Sequence, residues 1–495
     1  MKTPGKYAGA TRLKILFFIF GLFDLAVAGN FYVDSQNGSD QLTGKSVDQA
    51  WKSLAQANKA PLSAGDTLFL KCDGDWTGAL NIKASGSQAH PIVLTSYGQG
   101  QKPVLENPGQ TGSSALTLAG NWLIVESILV RKVFKVGIEI LNGADYAVLR
   151  NIEVTDCGIG ASLAGRFGLV TGSYFHDLHI VVNTNDGGDD DYGAVGVLFN
   201  NSDNEVSYNR FVRCVAPSFD YGVDGGAVEI WADKDIRNIY VHHNSAYRCS
   251  GFFEIGGQGF VVDGIRAAYN EIVDCFGLSY AYVNNGGTYT IKLKSFRWEN
   301  NTMVVRDCPN EKIWTSIAFT EPSDPGVFIM RNNLFYLFNA ERIIWNVTEP
   351  IEDHNLFYHG GTAWFELNLK PSATDIVDKD PMLMASGVCK DTIGNFRFKP
   401  GSPAIDNGVD LGYSKDFQGG PVPFGSLPDI GANEFTTGTP VLLPSGRTRQ
   451  LRGGLASRKG YEPGWYSLAG SWYSLVGRGR GDAICGQRIQ GVCLP

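Results

Sequence analysis

The chain has 495 residues, of which 61 are glycine, 12% are aromatic and 19% are charged. This composition argues against a disordered chain or a helical bundle and is typical of a rigid, turn-rich, all-β protein. The formal net charge of −8 gives no reason to expect a nucleic acid as partner. Length alone does not divide the chain into domains, because β-solenoids run long as single units.

The first 28 residues have the layout of a secretory signal peptide. Basic residues precede an apolar run at 15–23, and Ala-Val-Ala at 26–28 provides a cleavage site. A retained membrane anchor is the alternative, but the run is shorter than the ~20 residues that a span needs, and Asp24 interrupts it. We therefore expect a mature chain that begins at Gly29, is secreted to the extracellular space or the periplasm, and has no membrane span.

The segment that follows, 30–110, contains strand-like phrases and one amphipathic stretch. TLFLKC (67–72) and PIVLTSYG (91–98) are predicted strands, and the stretch from Trp51 to Ala57 is the predicted helix. This helix would lie as a cap over the first turn of a sheet whose end would otherwise be exposed.

An irregular repeat begins near Ala115. The gaps after Asn209 are 35, 26, 31, 32 and 22 residues, which indicates a constant rung with loops of changing size. Alternating helices are absent, so parallel strands need another crossover, which a solenoid of three short strands per turn supplies. Asparagine tolerates the left-handed backbone region and can bond a stacked neighbour, so a column of asparagines at one corner is physically reasonable. The repeated asparagines are Asn151, Asn209, Asn244, Asn270, Asn301, Asn333 and Asn355.

Three of the nine cysteines follow the same repeat. Cys214, Cys249 and Cys275 each lie five residues after an asparagine of the column. We expect buried free thiols that stack as small apolar residues. A disulfide between adjacent rungs is the alternative, because export permits such bonds and stacked residues are close enough to form them.

Sequence motifs mark both ends of the repeat region. The opening FYVDSQNGSD…AWKSLAQAN…AGDTLFL and the closing FRFKPGSPAIDNG…DFQGG…PDIGANEF are similar to the two ends of secreted right-handed parallel β-helix proteins of the pectin-lyase-like superfamily. The resemblance implies an all-β fold, a right-handed parallel β-helix over 29–435 with a short N-terminal cap helix. These motifs indicate architecture rather than activity, since one fold hosts many functions.

The last stretch, 436–495, changes character. It is rich in glycine and arginine and contains the doublet WYSLAGS/WYSLVGR. We interpret it as a flexible tail, with a small surface-attachment module as the alternative.

Two glutamates are predicted to meet on one face of the solenoid. The phrases GGAVEIW (225–231) and GFFEIGG (251–257) resemble neighbouring rungs. This alignment places Glu229 and Glu254 ~4.8 Å apart in one solvent-facing column. Two carboxylates at that separation share a proton, bind a cation or take part in catalysis. The predicted column is Leu198, Glu229, Glu254 and Tyr282.

Two acidic loops, at 183–193 and 219–226, precede this column on the same side. Their concentrated negative charge and their glycines favour a bound Ca²⁺, although solvated turns are the alternative. The predicted metal ligands are Asp186, Asp189, Asp190, Asp191, Asp220 and Asp224.

Three functions are compatible with these residues. The leading hypothesis is a calcium-assisted polysaccharide lyase, in which Ca²⁺ neutralises a uronate carboxylate and a side chain removes the C5 proton of the substrate. The second is a retaining glycoside hydrolase that uses Glu229 and Glu254, since carboxyl groups ~5 Å apart suit retention. The third is a non-catalytic carbohydrate-binding or surface solenoid. In each case we expect a monomer. The candidates for acid and base in the lyase are Tyr282, Lys294, Arg266 and His242.

Overall fold

Short strands run parallel to one another from turn to turn of a coil and form three sheets. The computed structural model describes residues 28–109, 112–186, 190–283, 290–306, 317–338, 342–360, 369–386 and 394–436, together with the strand Tyr466–Ser467. The predicted signal peptide lies outside these residues except for Ala28. The predicted tail also lies outside them, except for Thr436 and that strand, which pairs antiparallel with Asn201–Ser202.

Sheet 1 has twelve parallel strands, one for each turn of the coil. They are Asn30–Val33, Thr67–Lys71, Ile92–Tyr97, Leu123–Glu126, Val148–Arg150, Leu169–Thr171, Glu205–Ser207, Tyr240–His242, Ile265–Ala268, Phe296–Glu299, Phe328–Arg331 and Ile351–Asp353.

Sheets 2 and 3 are joined by two long strands that bend through both, Leu129–Ile140 and Glu153–Leu163. The other strands of sheet 2 are Asp75–Thr77, Val104–Asn107, Tyr174–His176, Arg210–Val212, Ser245–Tyr247, Glu271–Val273, Thr302–Val305, Leu334–Leu337, Leu356–Tyr358 and Ile376–Val377. The other strands of sheet 3 are Leu80–Ile82, Leu116–Leu118, Val195–Phe199, Gly226–Ala232, Phe253–Gly257, Ser279–Ala281, Ile317–Phe319 and Ile344–Trp345.

Few elements lie outside the three sheets. A short α-helix at Leu54–Ala57 lies within the predicted stretch from Trp51 to Ala57, and a 3-10 turn at Val47–Gln49 precedes that stretch. Among the described residues, no helix combines the length and the apolar character that crossing a membrane requires. The remaining strands are Ile180–Val182 with Tyr192–Gly193, Ala216–Ser218 with Gly222–Asp224, Leu383–Ala385 with Asn395–Phe398, and the three-stranded set Ile236–Arg237, Val261–Asp263 and Lys292–Leu293.

The interior of the coil is filled by apolar side chains from alternate strand positions. On sheet 2, for example, Phe175 stacks on Phe211 of the next turn with ring centroids 5.3 Å apart. Complete burial of one such side chain contributes about 1.5–3 kcal/mol. The parallel pairing and the apolar interior confirm the right-handed parallel β-helix predicted from the sequence.

The corner between sheets 1 and 2 carries the predicted asparagine column. Asn244 Nδ2 donates to Asn270 Oδ1 at 3.1 Å and to the Val206 carbonyl at 2.8 Å, and the Asn244 N–H also donates to Asn270 Oδ1. The left-handed residue is the one before the asparagine, for example Tyr269 with φ of 52°. The sequence interpretation placed that conformation on the asparagine itself. The ladder runs through Asn209, Asn244, Asn270, Asn301, Asn333 and Asn355.

Asn151 is not part of this ladder, contrary to the sequence prediction. It has a φ of 52° and therefore occupies the left-handed position of its turn. The next residue, Ile152, donates its N–H to Ser173 Oγ, and Ser173 in turn donates to Asn209 Oδ1 at 3.0 Å. A serine thus starts the column that asparagines continue.

The predicted cysteine column is also present. Cys214, Cys249 and Cys275 are free and completely buried. Each follows a residue in the left-handed region at a second corner of the coil, as Arg248 (φ 53°) does before Cys249. The stacked-thiol interpretation is confirmed, and the alternative of a disulfide between these rungs is wrong.

The C-terminal segment 394–436 covers the outer face of sheet 2. Phe396, Phe398 and Ile430 pack there against Val212 and Val273. Polar contacts anchor the same segment, since Tyr413 donates its hydroxyl to Glu299 at 2.6 Å and Asn433 donates to Glu271 at 2.7 Å. The predicted glutamates lie on a different sheet, sheet 3.

Candidate functional site

The outer face of sheet 3 brings the two predicted glutamates together. The strands Gly226–Ala232 and Phe253–Gly257 pair in parallel with Glu229 directly opposite Glu254. Their neighbours in the same column are Leu198 on one side and Tyr280 on the other. The sequence alignment had placed Tyr282 in this column. Tyr282 instead lies two residues further on, in the next outward row with Trp231 and Gly256.

The sequence predicts a solvent-facing pair, but the structure buries one of the two glutamates. Glu229 is 4% exposed, and Glu254 is partly exposed. An apolar cluster that contains Leu198, Trp231 and Tyr282 lies on the same outer face and takes the place of solvent. Strand alternation predicts which side chains point away from the core. It does not predict whether neighbouring groups bury those side chains on the outer face.

Gly256 allows the aromatic side chains of this cluster to approach each other. A Cβ atom at Gly256 would lie 2.6 Å from Cζ3 of Trp231 and 3.0 Å from Cδ2 of Tyr282. The two rings meet edge to face with centroids 6.1 Å apart. Tyr280 packs against Tyr282 in a similar way, with ring centroids 4.9 Å apart. The result is an aromatic wall beside the carboxyl groups.

The carboxyl groups hold protons more tightly than ordinary glutamates do. Burial raises the pKa of Glu254 to about 7, and a hydrogen bond from the Tyr282 hydroxyl acts in the opposite direction. Burial raises the pKa of Glu229 well above its usual value, and the neighbouring Glu254 and Asp224 add to this shift. Glu229 is the more buried of the two, so burial disfavours its charged form, whereas the hydrogen bond from Tyr282 favours the charged form of Glu254.

Two hairpins stand beside the pair and are locked to each other. The first consists of Ile180–Val182 and Tyr192–Gly193, and the second of Ala216–Ser218 and Gly222–Asp224. The Asp191 N–H donates to Asp220 Oδ2 at 3.2 Å, and the Asp220 N–H donates to Asp191 Oδ2 at 3.1 Å. Ser218 also donates its hydroxyl to Asp191 Oδ2, at 2.7 Å. These reciprocal bonds fix the position of the second hairpin.

Three of the predicted metal ligands gather in these hairpins. Asp190, Asp191 and Asp220 each offer a carboxylate oxygen within 4.8 Å of the others. Carboxylate oxygens suit Ca²⁺, so the donor set fits this ion chemically. Asp191 and Asp220 also accept the hydrogen bonds between the hairpins, so the loops have a structural use for the same charges.

The other predicted ligands do not belong to this group of three. Asp186 is exposed and accepts a hydrogen bond from Thr184 at 3.2 Å. Asp224 interacts with the glutamate pair: burial raises its pKa well above the usual value, and the charge of Glu254 adds to this shift. Asp189 lies outside the described residues.

Three predicted acid or base residues lie away from the pair. His242 and Arg266 belong to sheet 1, where His242 Nε2 is 3.0 Å from Glu205 and Arg266 Nε donates to Glu299 at 2.9 Å. Lys294 follows the short strand Lys292–Leu293 and pairs with Asp324 at 3.4 Å. His242 lies 13 residues after Glu229, and Arg266 lies 12 residues after Glu254, which is enough to carry the chain around the coil to another face. Lys294 lies 40 residues after Glu254. Of the four candidates, only Tyr282 contacts the pair.

Tyr221 and Gly256 also belong to the surroundings of the pair, although they are not among the residues predicted from the sequence. Tyr221 lies in the second hairpin and is close enough to Tyr282 to contribute to the raised pKa of that hydroxyl. A signal for Tyr221 was present, since it lies between Asp220 and Asp224 in a loop predicted to stand beside the glutamates. Gly256 gave no usable signal, because the residue that requires it, Trp231, belongs to a different turn.

Comparison with known proteins finds similarity only among solved structures. No protein-family model and no curated protein matches the chain. A GH136 lacto-N-biosidase from Eubacterium ramulus is 13% identical with a TM-score of 0.44, over 71% of this chain and 68% of that chain. The pectate lyase Pel9A is 15% identical with a TM-score of 0.48, over 83% and 97%. An alginate lyase from Paenibacillus sp. str. FPU-7 is 13% identical with a TM-score of 0.42, over 66% and 97%.

These similarities assign neither an activity nor a role for any residue, since one fold hosts many functions. The fold itself follows from the strand pairing within this chain. The chain is a parallel β-helix.

Proposed function

We propose that the protein cleaves glycosidic bonds of a polysaccharide on the outer face of sheet 3, as a retaining glycoside hydrolase. The observation that carries this proposal is the direct pairing of Glu229 with Glu254 in surroundings that keep one proton on the pair near neutral pH. Neighbouring strands are ~4.8 Å apart. That spacing is close to the separation of about 5–5.5 Å between the two carboxyl groups of retaining enzymes.

The two glutamates would have different roles. Glu229, which holds the proton, donates it to the glycosidic oxygen as the bond to the anomeric carbon breaks. Glu254, which holds the charge, attacks the anomeric carbon and forms a glycosyl ester. Glu229, now ionised, removes a proton from water, whose oxygen then displaces Glu254 and releases the sugar with its configuration retained. The hydrogen bond from the Tyr282 hydroxyl favours the charged form of Glu254 against the effect of burial.

Calcium-assisted β-elimination on a uronate polysaccharide is the second candidate. The grouping of Asp190, Asp191 and Asp220 favours it, because Ca²⁺ held there would neutralise a uronate carboxylate. The base is the weak point of this candidate. Tyr282 is the one predicted base that contacts the pair, and burial, followed by the charge of Glu254, raises its pKa well above the usual value and keeps it protonated. We therefore place hydrolysis first.

One experiment separates these functions. The mature protein is incubated with neutral and uronate polysaccharides, with and without calcium, while reducing ends and the ultraviolet absorbance of unsaturated uronates are measured. Hydrolysis produces reducing ends without absorbance, elimination produces both, and a non-catalytic binding protein produces neither. Proton NMR of the first product then shows whether the anomeric configuration is retained.

The glutamate roles are tested on the substrate that the parent protein cleaves. We expect Glu229→Gln and Glu254→Gln each to lower turnover at least ~10²-fold, the scale of a lost acid or nucleophile. Glu349→Gln, at an exposed position, is the matched control and should retain parental turnover. Parental turnover in both site variants would place the active site elsewhere on the coil.

A further inference from the structure

We propose that Phe219, at the tip of the second hairpin, binds an uncharged sugar unit of the substrate next to the glutamate pair. This inference rests on the proposed function of the outer face of sheet 3 and extends it to the substrate class. It assigns the hairpin a role in binding, separate from the chemistry of Glu229 and Glu254.

The first observation is the exposure of Phe219. Its side chain is 62% exposed, the largest fraction for any large hydrophobic residue that the structure describes. Covering a phenylalanine side chain is favourable by up to about 1.5–3 kcal/mol. A pyranose ring has a face of C–H groups, and such a face packs well on an aromatic ring.

The second observation is that the backbone under Phe219 is held in place. The Phe219 N–H donates to Asn183 Oδ1 at 2.9 Å, and Asn183 Nδ2 donates to the Pro217 carbonyl at 3.3 Å. On either side of Phe219, Ser218 and Asp220 donate to the fully buried Asp191. An aromatic side chain on a fixed backbone loses little conformational entropy on binding, so more of the contact energy appears as affinity.

The third observation is the position of the hairpin. Its last residue, Asp224, interacts electrostatically with Glu254, and Tyr221 interacts with Tyr282 in the aromatic wall. Strand geometry places the hairpin tip roughly 10 Å beyond Asp224. A glycan chain that reaches the glutamate pair would therefore pass Phe219 within one or two sugar units.

The charge of the surroundings selects the class of sugar. Neither 180–193 nor 216–224 contains a lysine or an arginine, whereas both contain aspartates. Lys135, from a neighbouring strand, reaches Tyr192 of the first hairpin, with Nζ 5.8 Å from the ring centroid. Asp190 and Asp220 lie on either side of the contact between the hairpins. A uronate carboxylate placed on Phe219 would meet this negative charge, and an uncharged hexose would not.

Binding without turnover provides the test. In the Glu254→Gln background we expect the Phe219→Ala change to weaken the binding of neutral oligosaccharides at least ~10-fold by calorimetry, equivalent to ~1.4 kcal/mol. Phe219→Trp should keep the affinity. Phe424→Ala, which removes another exposed aromatic ring on the C-terminal segment, is the matched control and should change nothing. A steady-state measurement in the otherwise unaltered protein should show a raised KM with kcat unchanged.

The outcomes separate this inference from the proposed function. Equal affinity of the Phe219→Ala and parent proteins would overturn it, as would a failure of every neutral oligosaccharide to bind the parent. Preferential binding of uronate oligosaccharides, with or without calcium, would overturn the assignment of an uncharged sugar. If the Gln variants keep full turnover while Phe219→Ala weakens binding, the proposed roles of the glutamates fail and the role of Phe219 stands.

Discussion

At the scale of single residues, the site depends on two carboxyl groups that resist ionisation: Glu229, which is buried, and Glu254, which is partly exposed. The raised pKa of Glu254, about 7, means that the folded protein holds this proton more tightly than the unfolded chain does. The associated stabilisation is complete below the ordinary pKa of 4.5 and is lost as the pH rises towards 7. Glu271 and Glu434, whose pKa values burial also raises to about 7, act in the same direction.

Stability should therefore fall as the pH rises from 5 to 8. We expect the melting temperature of the Glu254→Gln variant to fall less over this range than that of the parent, because the amide cannot ionise. Glu349→Gln should reproduce the parental slope. Identical slopes for the parent and Glu254→Gln would show that Glu254 ionises equally easily in the folded and unfolded chains.

The Tyr282 hydroxyl should set the acidic limb of the pH profile. Tyr282→Phe removes the hydrogen bond that favours ionised Glu254, so the pKa of that carboxyl group should rise. We expect the acidic limb of kcat/KM to move to higher pH, since this limb reports the ionisation of the nucleophile in the free enzyme. Tyr208→Phe, at an exposed residue of another corner, is the control. An unshifted limb would contradict the role assigned to Tyr282.

At the scale of elements, the spacing of repeated residues predicts which strands pair better than it predicts which outward side chains are buried. The asparagine and cysteine repeats fix one corner each, and the similar phrases at 225–231 and 251–257 predict the pairing of Glu229 with Glu254 that the structure contains. Glu254 lies five residues after Cys249, and Tyr280 lies five residues after Cys275, so the cysteine repeat itself indicates Tyr280 as the next member of the column. The prediction of Tyr282 did not use this spacing. Burial of Glu229 was missed because it depends on Trp231 and Tyr282, which meet across Gly256 from different turns.

The asparagine ladder should contribute measurably to stability. Asn270→Ala removes the oxygen that accepts hydrogen bonds from the backbone N–H and from the side chain of Asn244. It also removes the Nδ2 group that donates to the Val241 carbonyl. Buried polar groups left without partners should lower the free energy of unfolding by about 3 kcal/mol, measured by denaturant titration. Asn185→Ala, at an exposed position, should have little effect. Equal losses in the two variants would contradict a special role for the ladder.

The hairpins provide a separate test of calcium binding. If Asp190, Asp191 and Asp220 bind the ion, calcium should raise the melting temperature according to RT ln(1 + [L]/Kd). The increase should disappear in Asp190→Asn and persist in Asp186→Asn, a change in the same loop. A melting temperature that does not respond to calcium would leave these carboxylates with the structural role of joining the hairpins.

At the scale of the whole molecule, each turn of the coil contacts mainly the turns before and after it. Apolar surface that the turns leave exposed must be covered by other segments of the chain. The segment 394–436 covers Val212 and Val273 on sheet 2. Removal of 394–495 should lower the melting temperature strongly and cause aggregation, because apolar surface becomes exposed. Removal of 437–495 alone should leave the melting temperature unchanged if that stretch is a flexible tail. Equal damage from both truncations would contradict that interpretation.

The asparagine ladder also determines how such a chain can change its length during evolution. Each ladder asparagine contacts the next through the same pair of bonds, whether 22 or 35 residues separate them. Excision of 244–269 would bring Asn209 directly against Asn270 and set Glu229 beside Tyr280. The shortened coil would still close at every corner, but it would have lost Glu254. Whole turns are thus the natural units of insertion and deletion, and a single such event can create or remove a paired-carboxyl site while the architecture is kept.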